Sequence, residues 1–288
     1  MRARPQPTKD RVPRLQRAVT VLAACLFATS TTALEVVRAP EPQHVFADGA
    51  RAVEVRFRNA AAEPIHLEAR LQLLQLTSST AAPVGGVRAW KSLTVLPGQT
   101  VLESATIQFP QVRASARFAA RWLDATGKLL GVTEVWAHPE SLLDTLTLLA
   151  GGQPIGLSDW NGVLRPALAA RGIAVSELHS AQDWNDFRGR LAFVVSKPET
   201  DQGKLRLEPA ALARVKEGLA VVWFQTSPAI APPGPAWVER VSAGRGTVLL
   251  VSASTIDGLD RSPAAQNALV RLAELALTPP TQVLASEP

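Results

Sequence analysis

The sequence predicts an α+β chain of two domains: an antiparallel β-sandwich followed by an open, mostly parallel α/β sheet. Three observations predict it. Residues 34–138 alternate apolar and polar side chains with period two, which puts one strand face on a core and the other in water. Residues 153–279 alternate short, continuously apolar runs with helical segments, the pattern of parallel strands covered on both faces. Near Pro139 one texture gives way to the other.

The first element is a leader. Met1–Arg17 carries Arg2, Arg4, Lys9, Arg11, Arg14 and Arg17 against the single acid Asp10. The apolar stretch Ala18–Ala28 follows, and then Thr29–Ala33, with Thr31 and Ala33 at the −3 and −1 positions of a cleavage site. That order predicts a secretory signal peptide over residues 1–33, cut near Ala33. The apolar run is short of the roughly 20 residues a spanning helix needs, so no transmembrane span is expected in the mature chain. An alternative is a lipoprotein anchored at Cys25, because Leu22-Ala23-Ala24-Cys25 has the form of a lipobox. Against it, Leu26 and Phe27 stay apolar where a lipoprotein usually turns polar.

Removing the leader changes the charge. Six of the 30 basic and one of the 25 acidic residues fall in 1–33, which leaves 24 of each and no net charge. Nucleic-acid binding rests on a surplus of Lys and Arg that displaces counterions, so no nucleic-acid partner is expected. Cys25 is the only cysteine and is expected to leave with the leader. That excludes a disulfide, a thiol nucleophile and a thiolate metal site from the mature chain.

In the first half, Val53, Val55 and Phe57 alternate with Glu54, Arg56 and Arg58, and Ile65, Leu67, Ala69 and Leu71 with His66, Glu68, Arg70 and Gln72. Phe118, Ala120 and Trp122 alternate with Arg117, Ala119 and Arg121. Turn chemistry separates the runs at Asp48-Gly49, Asn59 to Pro64, Pro83 to Gly86, Pro97-Gly98 and Asp124 to Gly127. About seven short strands at this spacing resemble an immunoglobulin or fibronectin-type sandwich.

Residues 139–152 predict a linker helix within Ser141–Leu149. Beyond it the expected order is strand Ile155–Ser158, helix Val163–Arg171 ended by Gly172, and strands Ile173–Leu178 and Leu191–Ser196. Helix Pro209–Glu217 opens on proline and closes on Gly218. Strands Ala220–Gln225 and Thr247–Ala253 follow, then a last helix opened by Ser262-Pro263 and running to about Leu277. Residues 280–288 read as a tail.

The second half resembles class I glutamine amidotransferase-like, or flavodoxin-like, domains. The residues that carry the resemblance are the strand–Asp159-Trp160-Asn161-Gly162–helix opening, the segment Gly244-Arg245-Gly246-Thr247-Val248-Leu249-Leu250, and the helix start Ser262-Pro263-Ala264-Ala265-Gln266. The resemblance implies a fold and no activity. Where the family places a nucleophilic cysteine in a tight elbow, strand Ala220–Gln225 runs into Thr226-Ser227-Pro228 and a proline-rich loop. The family's His-Glu pair has no match either.

No other chemistry stands out in the pattern. There is no G-x-S-x-G, and the four histidines, His44, His66, His138 and His179, lack a spaced partner set for catalysis or metal binding. His179, at a strand end, lies nearest a plausible site. Gly151-Gly152 and Gly244-Arg245-Gly246 precede strands rather than helices, so neither reads as a phosphate cradle. No cofactor is expected. The topological rule for open α/β sheets puts ligands beyond the carboxyl ends of the strands. There the sequence offers Asp159, Asn161, Ser196, Lys197, Gln225, Thr226, Ser254 and Asp257 as candidates for one polar crevice, with Asp159 or Asn161 also the natural cap of the next helix. Seven Trp without a Tyr makes Trp90, Trp160, Trp184 and Trp237 candidate sugar platforms, whereas Trp122, Trp136 and Trp223 read as core.

The functional expectation is an exported, non-catalytic binding or accessory protein of the bacterial envelope or extracellular space, with another envelope protein or a glycan as partner. A carbohydrate-binding accessory module and a hydrolase with an unrecognised Asp-based site are the alternatives.

Overall fold

The computed structural model describes residues 33–196, 207–225 and 238–279. Residues 1–32 with Cys25, the candidates Lys197, Thr226 and Trp237, and residues 280–288 lie outside the described residues. Among the described residues no helix is long and apolar enough to cross a membrane.

The first half contains eight strands: β1 (Leu34–Val36), β2 (Gln43–Phe46), β3 (Gly49–Asn59), β4 (Ile65–Leu76), β5 (Ala81–Val95), β6 (Thr100–Phe109), β7 (Ala116–Leu123) and β8 (Leu129–His138). They form two sheets, ordered β1-β3-β6 and β2-β8-β7-β4-β5. Alternation decides what is buried. Val53, Val55 and Phe57 of β3 are buried while Glu54, Arg56 and Arg58 between them are exposed. The inward residues of both sheets share one apolar cluster. Its centre is aromatic, with the Trp122 ring 4.9 Å from Trp90 and 5.9 Å, edge-on, from Phe57. The Trp122 indole Nε1 donates to Thr133 Oγ1 at 2.9 Å, so its one polar group is not left bare in the core.

The second half begins with a single 3-10 turn over Leu142–Asp144 and α1 (Thr145–Leu149). Then come β9 (Ile155–Asp159), α2 (Leu164–Ala169), β10 (Val175–Glu177), α3 (Ala181–Asp186), β11 (Leu191–Val195), α4 (Pro209–Glu217), β12 (Ala220–Gln225), β13 (Val238–Ala243), β14 (Gly246–Ser252) and α5 (Pro263–Leu277). The strands form one sheet in the order β10-β9-β11-β12-β14-β13. Successive residues of a strand point to opposite faces, and both faces here are covered. Val222, Phe224, Leu249 and Val251 pack with α1, α2 and α5. Val221, Trp223, Val248 and Leu250 pack with α3 and α4. The leucines of the expected linker, Leu142, Leu143 and Leu146, are buried in the first of these layers.

The sheets correct the expected fold class. The chain is mostly β, and an antiparallel sandwich followed by a flavodoxin-like sheet does not describe it. Its described residues form three sheets, two of them mixed. The five-stranded sheet contains the parallel pair β2–β8. The six-stranded sheet ends on β13, which runs antiparallel to β14. The physical reason lies in the strands that the pattern missed. β1 and β2 have three and four residues, too few for periodicity to show. β13 carries no buried residue, so neither of its faces stands out as apolar. Period two also reports which face is buried, never the direction of the neighbour.

A second correction concerns Pro83 to Gly86, expected as a turn between strands. It lies inside the continuous strand β5. Leu73 pairs with Val84 and Leu71 with Arg88, so Gly85, Gly86 and Val87 stand opposite Gln72 alone. Gly85 has φ +76°. The glycines bend the strand as a bulge without ending it.

Candidate functional site

Parallel pairing brings the expected crevice residues to one edge of the sheet. Val195 is level with Asp159 on β9 and Phe224 on β12, and Gln225 is level with Ser252 on β14. Asp159, Ser196 and Gln225 therefore end neighbouring strands, and all three are partly buried. Ser254 and Asp257 follow β14 around one 3-10 turn and are exposed.

Hydrogen bonding shows what these groups do. Asp159 Oδ2 accepts from the backbone N–H of Leu164 and Arg165, both at 2.9 Å, and Oδ1 from Val163 at 3.2 Å. The carboxylate thus satisfies three free donors of the first turn of α2, as a capping group does. Asn161 Oδ1 adds a weak contact to Val163 N at 3.4 Å. Ser196 Oγ donates to the Phe224 carbonyl at 3.3 Å, which ties β11 to β12. Ser254 Oγ lies 2.8 Å from Ser252 Oγ. Each contact is made within the chain's own framework.

His179 is exposed and belongs to a capping arrangement. Its backbone N–H and that of Ser180 donate to Asp183 Oδ2 at 3.0 and 2.8 Å, and Ser180 Oγ accepts from Asp183 N. The His179 N–H, the Ser180 hydroxyl and the Ser180 N–H, in that order, hold the Asp183 carboxyl below the usual range. Glu177 beside them pairs with Arg165 at 2.5 Å and lies 3.4 Å from His179 Nε2. Among the described residues no group of three His, Cys, Asp or Glu side chains is placed to hold a metal ion.

Of the candidate platforms, Trp184 is buried under α4 and Trp90 packs on Trp122. Trp160, directly after Asp159, is 54% exposed.

Sequence reasoning missed a second cluster. His44 Nδ1 lies 2.9 Å from His138 Nε2, and Ser115 Oγ lies 2.8 Å from His138 Nδ1. The two imidazole planes are parallel within 2°, and His138 is fully buried. Burial first, then the charges of His44 and Arg271, push the His138 imidazole down to about 4. Burial lowers His44 too, against the pull of Glu41. The order serine–histidine–third group invites comparison with a nucleophilic triad. Such a triad needs an anion behind the base to stabilise the imidazolium. Here the third group is a neutral imidazole, and Arg271 opposes the charge. The arrangement is ill suited to general-base catalysis. The signal that would have found it, the pairing of β2 with β8, is not a local one.

No family model matches the chain, and no curated protein matches it. Solved structures show partial likeness. A β-glucosidase from Listeria innocua in complex with gluconolactone is 15% identical over 36% of this chain and 16% of its own, with a TM-score of 0.28. The alkylpurine DNA glycosylase AlkC of Pseudomonas fluorescens, bound to DNA with an abasic-site analogue, is 15% identical over 37% of this chain and 30% of its own, at 0.27. The sporulation control protein Spo0M of Bacillus subtilis is 11% identical over 42% of this chain and 55% of its own, at 0.28. Likeness at this level carries no argument about what the chain does.

Proposed function

We propose that this is an exported protein of the bacterial envelope or extracellular space that acts by binding, as an accessory to another envelope protein. The charged, apolar and small-residue order of Met1–Ala33 supports export. One observation carries the non-catalytic reading: the Asp159 carboxylate, the acid at the end of β9, is taken up in capping α2. The test is a crosslinking pull-down from the native envelope fraction with the mature chain as bait. One stoichiometric partner, still captured by Asp159→Asn, is the expected result. Turnover of acyl or glycosyl substrates that disappears in Asp159→Asn overturns the reading.

A second reading, a glycan as the partner, is favoured by the exposed indole of Trp160 at the same sheet edge. It predicts a change in tryptophan fluorescence on adding polysaccharide that Trp160→Ala removes. Silence across a broad glycan panel dismisses it.

A further inference from the structure

The histidine pair lies where the two halves of the molecule meet. His44 is level with Trp136, and Phe46 with His138, in the parallel β2–β8 pair. Val45, Val135 and Ala137, on the opposite face, enter the first core. His44 and His138 therefore face away from that core. α5 packs on β2, and its Arg271 lies close enough to act on the charge of His138. The Trp136 ring stacks on His138 from the same strand, and Arg117 of β7 sits over that ring.

The acids around the pair are mostly committed elsewhere. Glu140 pairs with Arg51, Glu274 with Arg271, and Glu134 with Arg38 and Arg117. Glu41, ahead of β2, acts on His44 alone. Among the described residues no carboxylate acts on the charge of His138.

Proton counting sets the behaviour of the chain. The 2.9 Å contact between His44 Nδ1 and His138 Nε2 requires one of those nitrogens to be bare. A single added proton is tolerated by the hydrogen bonds, since His138 then donates to both Ser115 Oγ and His44 Nδ1. A second proton sets N–H against N–H and cation against cation, and the contact breaks.

We propose that the Ser115–His138–His44 chain is an acid-sensitive latch at the junction: neutral, it holds β2 against β8 beneath α5, and doubly protonated it frees β2 and loosens α5 from the first half. β2 suits such a part. It is a four-residue edge strand, held besides by its short parallel ladder to β8, by Arg51 Nε on the Phe46 carbonyl, by the Gln43 side chain on the Glu54 backbone and by Ala47 N on the His138 carbonyl. Histidine pairs that charge together are a known means of switching an interface.

The test is amide exchange on the full mature chain from about pH 7.5 to about pH 4, corrected for intrinsic rates. Protection of residues 43–47 is expected to fall more than about tenfold relative to the β3–β6 pair. His44→Gln, which keeps a hydrogen-bonding side chain that does not titrate, is expected to abolish most of that difference. A local loss of protection that persists in His44→Gln, or protection in β2 that only follows the rest, overturns the proposal. Should His44→Gln fail to fold, the imidazole C–H resonances of the wild type decide. Titration of both rings below the ordinary histidine value of about 6.5 supports the latch, and titration at or above it removes the latch.

Discussion

Asn59 shows how one side chain fixes a turn from inside. It is fully buried, and its Nδ2 donates to the carbonyls of Glu63 and Val95 at 2.8 and 2.9 Å while Oδ1 accepts from Ala61 N. Asn59→Ala leaves the Val95 carbonyl without this donor inside the protein. A loss of about 2–3 kcal/mol is expected in urea unfolding, at unchanged denaturant slope. Gly246 makes the converse case. A Cβ there meets the carbonyl oxygens of Val215 and Leu219 at clashing distance. Both are backbone atoms, so Gly246→Ala has to move the end of α4. It is expected to cost about 3 kcal/mol or more by the same measurement. His138 adds a pH term whose sign follows from its burial. Unfolded, it titrates near the ordinary value, and folded, at about 4. Between those values the unfolded chain binds the extra proton. Its contribution to stability is therefore present above about pH 6.5 and is lost as pH falls toward 4. Thermal unfolding against pH is expected to slope less steeply over that window in His138→Gln than in the wild type.

Among the elements, the helix starts were the most legible. Ser262 and Pro263 announce α5, and Ser262 Oγ accepts from Ala265 N at 3.2 Å. Ser262→Ala is expected to lower stability by about 1 kcal/mol in urea unfolding. Caps are readable because their chemistry is local: the acceptor and the orphan donors lie within one turn. The same locality explains the double meaning of Asp159. A residue that ends a strand and opens a helix has the address of a ligand site and of a cap, and only the three N–H groups at its oxygens separate the two. The strands β1, β2 and β13 and the helix α3 were not legible. β2 becomes a strand because β8 lies beside it, and α3, with Trp184 on its buried side, because Ser180 and Asp183 cap each other beneath α4.

At the scale of the whole molecule, the apolar clusters do not mix. Every buried member of the first lies between Leu34 and Ala137, and every member of the other two between Leu142 and Ala276. We therefore expect residues 34–138 to fold as a fragment, with the His44–His138 face newly exposed to water. Circular dichroism and amide dispersion of that fragment check this. A fragment that stays unfolded means that α5 is part of what holds the first half together. The junction, where α5 meets β2, lies outside these clusters.

The sequence by itself determined where the strands of the first half bury their side chains, where α4 and α5 begin, and that Cys25 is the one thiol of the chain. These follow from periodicity and capping, which act over a few residues. Tertiary structure alone decided that β2 runs parallel to β8, that β13 closes the six-stranded sheet antiparallel, and that Ser115, His44 and His138 form one hydrogen-bonded chain. The partner of β2 and the contact of His44 depend on residues 92 and 94 positions away, and no local pattern carries that information.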